Sequence, residues 1–177
     1  MFEDITGRKI RLAVVGCGRI SANHFDSIKK YAEDLELVAV CDNNRSTLET
    51  AQAEHGVEGF RSLSKMLAKV DLDVVSLCTP SGLHSDQVIE IAAAGKHVIS
   101  EKPMATRWKD GLDMVKACDR AGVRLFVVKQ NRRNTTLQLL KRAMDEGRFG
   151  KIFMVNLNVF WTRPQEYYDS ARWRGTW

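Results

Sequence analysis

The chain has 177 residues, 44% hydrophobic and 28% charged, which is enough for one domain with a real core and some chain beyond it, with an ordinary globular make-up. Lys and Arg number 27 against 22 Asp and Glu, a net charge of +5; with no basic run and no aromatic platform among the cations, this argues against nucleic acid and suits either a solvated surface or phosphate-bearing ligands. No apolar run reaches the roughly 18 residues of a membrane helix, and Met1 to Lys9 does not read as a signal peptide.

In chain order, Ile10–Val15 reads as a strand, followed by a glycine turn and a helix over about 21–31. Residues 36–41 form a second strand, and a helix over about 46–55 stops at Gly56. A short strand over 57–60 precedes a short helix capped by Ser62. Strands follow over 73–78, 97–100 and 124–129, separated by helices over about 84–94 and 109–121 that stop at Gly95 and Gly122. The strands are short, nearly continuous Val/Ile/Leu runs, as expected of a parallel sheet buried on both faces. Repeated β-α-β units with short loops predict an α/β class: a Rossmann-type, doubly wound parallel sheet over 1–130.

The pattern changes after Lys129. A helix over about 135–146 ends at Gly147, and Phe153, Val155, Leu157, Val159 and Trp161 then alternate with Met154, Asn156, Asn158 and Phe160. That period of two predicts a strand with one buried face, the first of a second domain over 131–177 that is incomplete here. The four cysteines, Cys17, Cys41, Cys78 and Cys118, form no C-x-x-C pair. They read as reduced, mostly buried thiols of a cytoplasmic protein, with no disulfide framework and no metal site.

Four groups of residues carry chemistry. Gly16-Cys17-Gly18-Arg19-Ile20-Ser21 follows a strand and opens a helix. Gly16 permits the tight turn, Gly18 lets the backbone approach a pyrophosphate, and the helix start offers its dipole to the phosphates. Asp42, followed by Asn43 and near Arg45, ends the second strand, where a carboxylate accepts from the adenosine ribose hydroxyls and favours NAD. Two alternatives stay open: Arg45 holding the 2′-phosphate of NADP, and Asp42 serving only as a turn residue. Thr79, Pro80 and His84 follow the fourth strand and are expected to line the cofactor cleft, with a surface histidine as the other reading of His84. Glu101-Lys102-Pro103 follows the fifth strand. There a lysine near the nicotinamide would polarise a substrate hydroxyl, and Glu101 would pair with it or hold a ribose hydroxyl; an exposed ion pair is the alternative.

These motifs, with Glu146-Gly147-Arg148-Phe149-Gly150-Lys151-Ile152, resemble the glucose-fructose oxidoreductase/inositol dehydrogenase family. The resemblance implies a second domain with a large, mostly antiparallel sheet, assembly as dimers or tetramers, and a Lys102–Pro103 bond that is often cis. It implies Lys102 as the catalytic lysine, Arg132 beside the substrate, and Trp173-Arg174 near the nicotinamide carboxamide. Thr135 stands where relatives usually carry proline. The family's catalytic histidine and its neighbouring Asp are expected downstream of residue 177; none of His24, His55, His84 or His97 matches their position.

Gln130-Asn131-Arg132-Arg133-Asn134, Phe160 to Tyr168, and Ala171 to Trp177 are similar to the UDP-N-acetylglucosaminuronate 3-dehydrogenases of lipopolysaccharide O-antigen synthesis. This implies a nucleotide-linked uronic acid as substrate, with Asn131, Arg132, Arg163, Tyr167 and Tyr168 as its binding residues. It also implies NAD as cofactor and, in some members, 2-oxoglutarate as the recycling oxidant. Arginines suit carboxylate and diphosphate charge, and aromatics suit stacking on sugar or uracil. Trp161 and the tyrosines as core or interface residues of the second domain are the alternative.

Overall fold

The computed structural model describes residues 5–171 together with Arg174 and Gly175. Contacts gather into two units, Met1–Val128 and Lys129–Trp177. The first contains β1 (Ile10–Val15), α1 (Ser21–Lys30), β2 (Leu35–Cys41), α2 (Arg45–His55), β3 (Glu58–Phe60), α3 (Leu63–Lys69), β4 (Val74–Leu77), α4 (His84–Ala93), β5 (His97–Ser100), α5 (Trp108–Ala121) and β6 (Leu125–Val127). The sheet runs β3-β2-β1-β4-β5-β6, and every strand pair is parallel. This is the doubly wound α/β fold, with the order reversing at β1.

The continuous apolar runs have a direct cause. Leu12, Val14 and Val74 pack with Ile28 of α1 on one face of the sheet, while Ala13, Val15, Val75 and Leu77 pack with Met66, Val88, Ile91 and Met114 on the other. Successive side chains point to opposite faces, and both faces are covered, so both sets are mainly apolar. Each fully buried Val or Leu contributes about 1.5–3 kcal/mol. Local signals set the helix ends: the Asn44 side chain accepts from Thr47 N–H, Ser62 from Lys65 N–H, and Gly56 and Gly122 close α2 and α5 in the left-handed conformation.

Register brings the chemistry to one edge. Val15 stands beside Cys41 and Leu77, Leu77 beside Ser100, and Ser100 beside Val127. The ladder continues one step further, with Gly16 N–H donating to Cys41 O, Cys78 N–H to Val15 O, and Glu101 N–H to Leu77 O. Gly16, Asp42, Cys78 and Glu101 therefore leave the sheet in one row. The crevice of such a fold lies there, where the strand order reverses.

The opposite edge is held by charge. Asp73 accepts from Arg11 N–H at 2.8 Å and from both terminal nitrogens of Arg8 at 2.6 and 2.8 Å. The Arg8 hydrogen bond, aided by Arg11, holds the Asp73 carboxyl well below the usual carboxylate range. A depressed native value stabilises the fold fully above the unfolded carboxylate value of about 4, and acid removes that stabilisation below it. Asp73→Asn is therefore expected to lower stability at pH 7 by about 1–3 kcal/mol and to flatten the fall in melting temperature below about pH 4. Thermal melts across pH check both; equal acid sensitivity of the two proteins would contradict the assignment.

The second unit contains a 3-10 turn (Gln130–Arg133), α6 (Thr135–Asp145), capped by the Asn134 side chain, and α7 (Gln165–Asp169). The strand expected over 153–161 does not form. Phe153 is 85% and Phe160 91% exposed, so neither face of the alternating segment is covered. A strand exists only by pairing, and no other strand lies in this unit among the described residues.

Candidate active site

Gly16 has φ +86°, and a Cβ on it would lie 2.8 Å from the backbone of Cys78 and Thr79. The turn out of β1 thus passes directly against the turn out of β4, and only glycine fits. Gly18 differs: a Cβ there would meet no atom within 4 Å, so the protein's own packing gives no reason for glycine. A ligand lying on the loop would. Arg19 and Ile20 are exposed beside it, and α1 begins without a side-chain cap, leaving its start to an outside anion. Ser21 is 2% exposed, and its hydroxyl donates to Gly18 O at 2.5 Å, closing the loop where relatives of this fold usually place Gly or Ala.

Asp42 ties two turns together. Its Oδ2 accepts from Cys17 N–H and its Oδ1 from Asn44 N–H, each at 2.8 Å. The turn role is therefore real, yet a carboxylate has about four acceptor sites, so each oxygen can still take a ribose hydroxyl. Arg45 donates to Glu49 at 2.7 Å, and the Asn43 carbonyl accepts from Arg61. The Cys17 thiol is pushed up to about 12 by burial and then by the Asp42 charge. Burial and then Glu101 do the same to Cys78, so both groups favour the protonated thiol.

We expect Asp42→Asn, which keeps an acceptor for one turn while removing the charge, to narrow the preference for NAD over NADP by about 10-fold or more. Asp42→Ala, which frees both turns, is expected to weaken both dinucleotides. Calorimetric titration with each cofactor checks this, and an unchanged preference in the Asn variant would remove the ribose assignment.

Two expectations are corrected. His84 does not face the cleft: it is 1% exposed, and its ring nitrogens lie 2.9 Å from the carbonyl oxygens of Thr79 and Pro103. It bridges two loops instead of offering itself to a ligand. Glu101 is 7% exposed and does not pair with the Lys102 ammonium; its Oε2 accepts the Lys102 backbone N–H at 3.2 Å, while its Oε1 lies 3.0 Å from Nε2 of His24. A carboxylate this deeply buried needs such partners.

Lys102 itself is exposed at the carboxyl edge, and the Lys102–Pro103 bond is cis. The Thr79 hydroxyl donates to Gln87 at 2.6 Å, and Pro80 leads into a 3-10 turn. Sequence reasoning missed His24, Ser76, Gln87 and Arg61. For His24 a signal exists: Ser21, His24 and Ile28 share the inner stripe of α1.

In the second unit, Asn131 and Arg132 lie exposed in the 3-10 turn. Arg163 stacks over the rings of Trp161 and Tyr167 at 4.7 and 4.9 Å, and Arg174 covers Tyr167 at 4.4 Å. Tyr168 meets Tyr167 edge-on at 5.2 Å. Arg174 also donates to Tyr167 O at 2.8 Å, so it closes the end of α7. Trp173 lies outside the described residues.

The residues fit a dinucleotide: an open glycine loop, an uncapped helix start, and a carboxylate with acceptor sites to spare. Comparison with known proteins agrees. The chain is 64% identical to the WlbA dehydrogenase of Bordetella pertussis, solved with NADH and UDP-GlcNAcA; the match covers 95% of this chain and 51% of that one, with a TM-score of 0.93. It is 63% identical to the WlbA dehydrogenase of Chromobacterium violaceum, solved with the same ligands, over 100% of this chain and 51% of that one, with a TM-score of 0.96. It is 34% identical to the D-apiose dehydrogenase of Paraburkholderia graminis over 84% of this chain and 40% of that protein. The chain thus spans about half the length of the first two proteins and 40% of the third. Residues 10–129 match the family described as the oxidoreductase family with an NAD-binding Rossmann fold. The chain belongs to this Gfo/Idh/MocA oxidoreductase family, and its cofactor is NAD.

Proposed function

We propose that the full-length protein oxidises the C3 hydroxyl of a UDP-linked N-acetylamino-sugar uronic acid, with NAD as acceptor, in lipopolysaccharide O-antigen biosynthesis. The observation that carries this is the 64% identity with a dehydrogenase solved with NADH and UDP-GlcNAcA. The arginine-aromatic cluster supports it, because guanidinium groups on aromatic faces suit an anionic sugar nucleotide better than a neutral polyol.

Each residue has a defined task. The loop from Gly16 to Ile20 binds the pyrophosphate, and Asp42 orients the adenosine ribose. Lys102 hydrogen-bonds the substrate hydroxyl and stabilises the oxygen as its proton leaves, in concert with a histidine expected downstream of residue 177. Thr79 and Pro80 border the cleft. Asn131, Arg132, Arg163, Tyr167 and Tyr168 bind the substrate, and Trp173 with Arg174 serves the nicotinamide end. NAD, when bound, accepts the hydride from the sugar carbon. We further propose a cytoplasmic homodimer or homotetramer that recycles its NADH with 2-oxoglutarate.

The test is NADH formation at 340 nm by the full-length protein supplied with UDP-N-acetylglucosaminuronate, UDP-N-acetylglucosamine or myo-inositol. Reduction with the first alone supports the reading. Comparable reduction with myo-inositol would contradict it and point to a cyclitol dehydrogenase.

A further inference from the structure

Beneath the carboxyl edge, three elements meet in one hydrogen-bonded chain. His24 of α1 places Nδ1 at 2.8 Å from the Ser76 hydroxyl of β4 and Nε2 at 3.0 Å from Oε1 of Glu101. The other carboxylate oxygen holds Lys102 N–H. Ser76 is 1% and Glu101 7% exposed. The chemistry orients the chain: an ionised carboxylate only accepts, so Nε2 carries a proton, and in the neutral ring Nδ1 is left to accept from the Ser76 hydroxyl.

We propose that His24 is a positioning residue for Lys102, acting through Glu101. It fixes the carboxylate that in turn fixes the lysine's backbone, and so couples the helix of the glycine loop to the catalytic lysine. Burying Glu101 beside an apolar core would otherwise be unfavourable. With His24 and Lys102 N–H in place, the carboxylate keeps one orientation, and the loop that carries Lys102 inherits it. The inference rests on the proposed role of Lys102, and its test separates the two.

The test compares His24→Phe with His24→Gln in the full-length protein. Phe fills the space and removes both hydrogen bonds; Gln places an amide N–H near the position of Nε2. Because small misplacements of a catalytic group cost up to about 100-fold, His24→Phe is expected to lower kcat by about 10- to 100-fold. NADH affinity, read by fluorescence titration, should change by less than about 3-fold, which is under about 0.7 kcal/mol. His24→Gln is expected to recover most of the loss. Equal losses in both variants, or loss of NADH affinity in step with kcat, would overturn the proposal in favour of simple packing.

If the wild-type protein turns over no sugar, the proposed function fails, and the inference is read from the ring itself. Nitrogen-15 NMR should then show His24 protonated at Nε2, with that proton's shift moved by Glu101→Gln. An Nδ1–H tautomer would overturn it.

Discussion

Replacing Gly16 by alanine is expected to destabilise the protein and remove tight NAD binding together. At φ +86° an L-residue is strained by about 1–2 kcal/mol. The added Cβ also falls 2.8 Å from three backbone atoms of Cys78 and Thr79, and backbone cannot swing aside as a side chain would. Overpacking of this kind costs about 1–3 kcal/mol more. A drop in melting temperature on the order of 10 °C follows for a chain of this size. The two turns it forces apart are those that end β1 and β4, the floor of the crevice, so the pyrophosphate loop moves with them. Gly18→Ala is the matched control: its Cβ meets nothing of the protein, so the fold should melt at the wild-type temperature while NAD affinity falls. Differential scanning fluorimetry and calorimetric titration of both variants read the contrast. Equal melting of the two variants would contradict this account of the loop.

Lys102→Met, in the full-length protein, should leave NAD affinity within about 3-fold of wild type and lower turnover by about 10²–10⁴-fold. Lys102 is exposed, so its loss breaks no core, and methionine retains an unbranched apolar stem. What disappears is the ammonium that would meet the developing negative charge on the substrate oxygen. Steady-state rates with a parallel NADH titration test this. Turnover that survives the substitution would remove Lys102 from the chemistry.

The parallel sheet was legible because its physical cause is local. A strand covered on both faces favours apolar residues on both, and Ala13, Val14, Val75 and Val98, all fully buried, are so; the buried serines Ser76 and Ser100 are tolerated because each is hydrogen-bonded. The turn at Gly16 was legible because its positive φ and its approach to the Cys78 and Thr79 backbone admit only glycine, and Asp42 because a carboxylate ending a strand satisfies the N–H groups of adjoining turns. The segment over 153–161 forms no strand here for the complementary reason: a period of two records which side of a strand is meant to be covered, and a strand still needs a partner. His84 misled because its type was weighed without its stripe. His84, Val88 and Ile91 lie at helical spacing on the inner face of α4, and all three are buried; that spacing marks an inward ring. The His24–Glu101 pair was out of reach, since 77 positions separate its members and only the fold brings them together.

The most direct measurement supplies the full-length protein with NAD, UDP-N-acetylglucosaminuronate and 2-oxoglutarate and quantifies 2-hydroxyglutarate. Product that depends on the sugar and is lost in Lys102→Met is the predicted result. No product from a protein that still binds NAD would contradict the proposed substrate and its recycling, leaving the dinucleotide site as it stands.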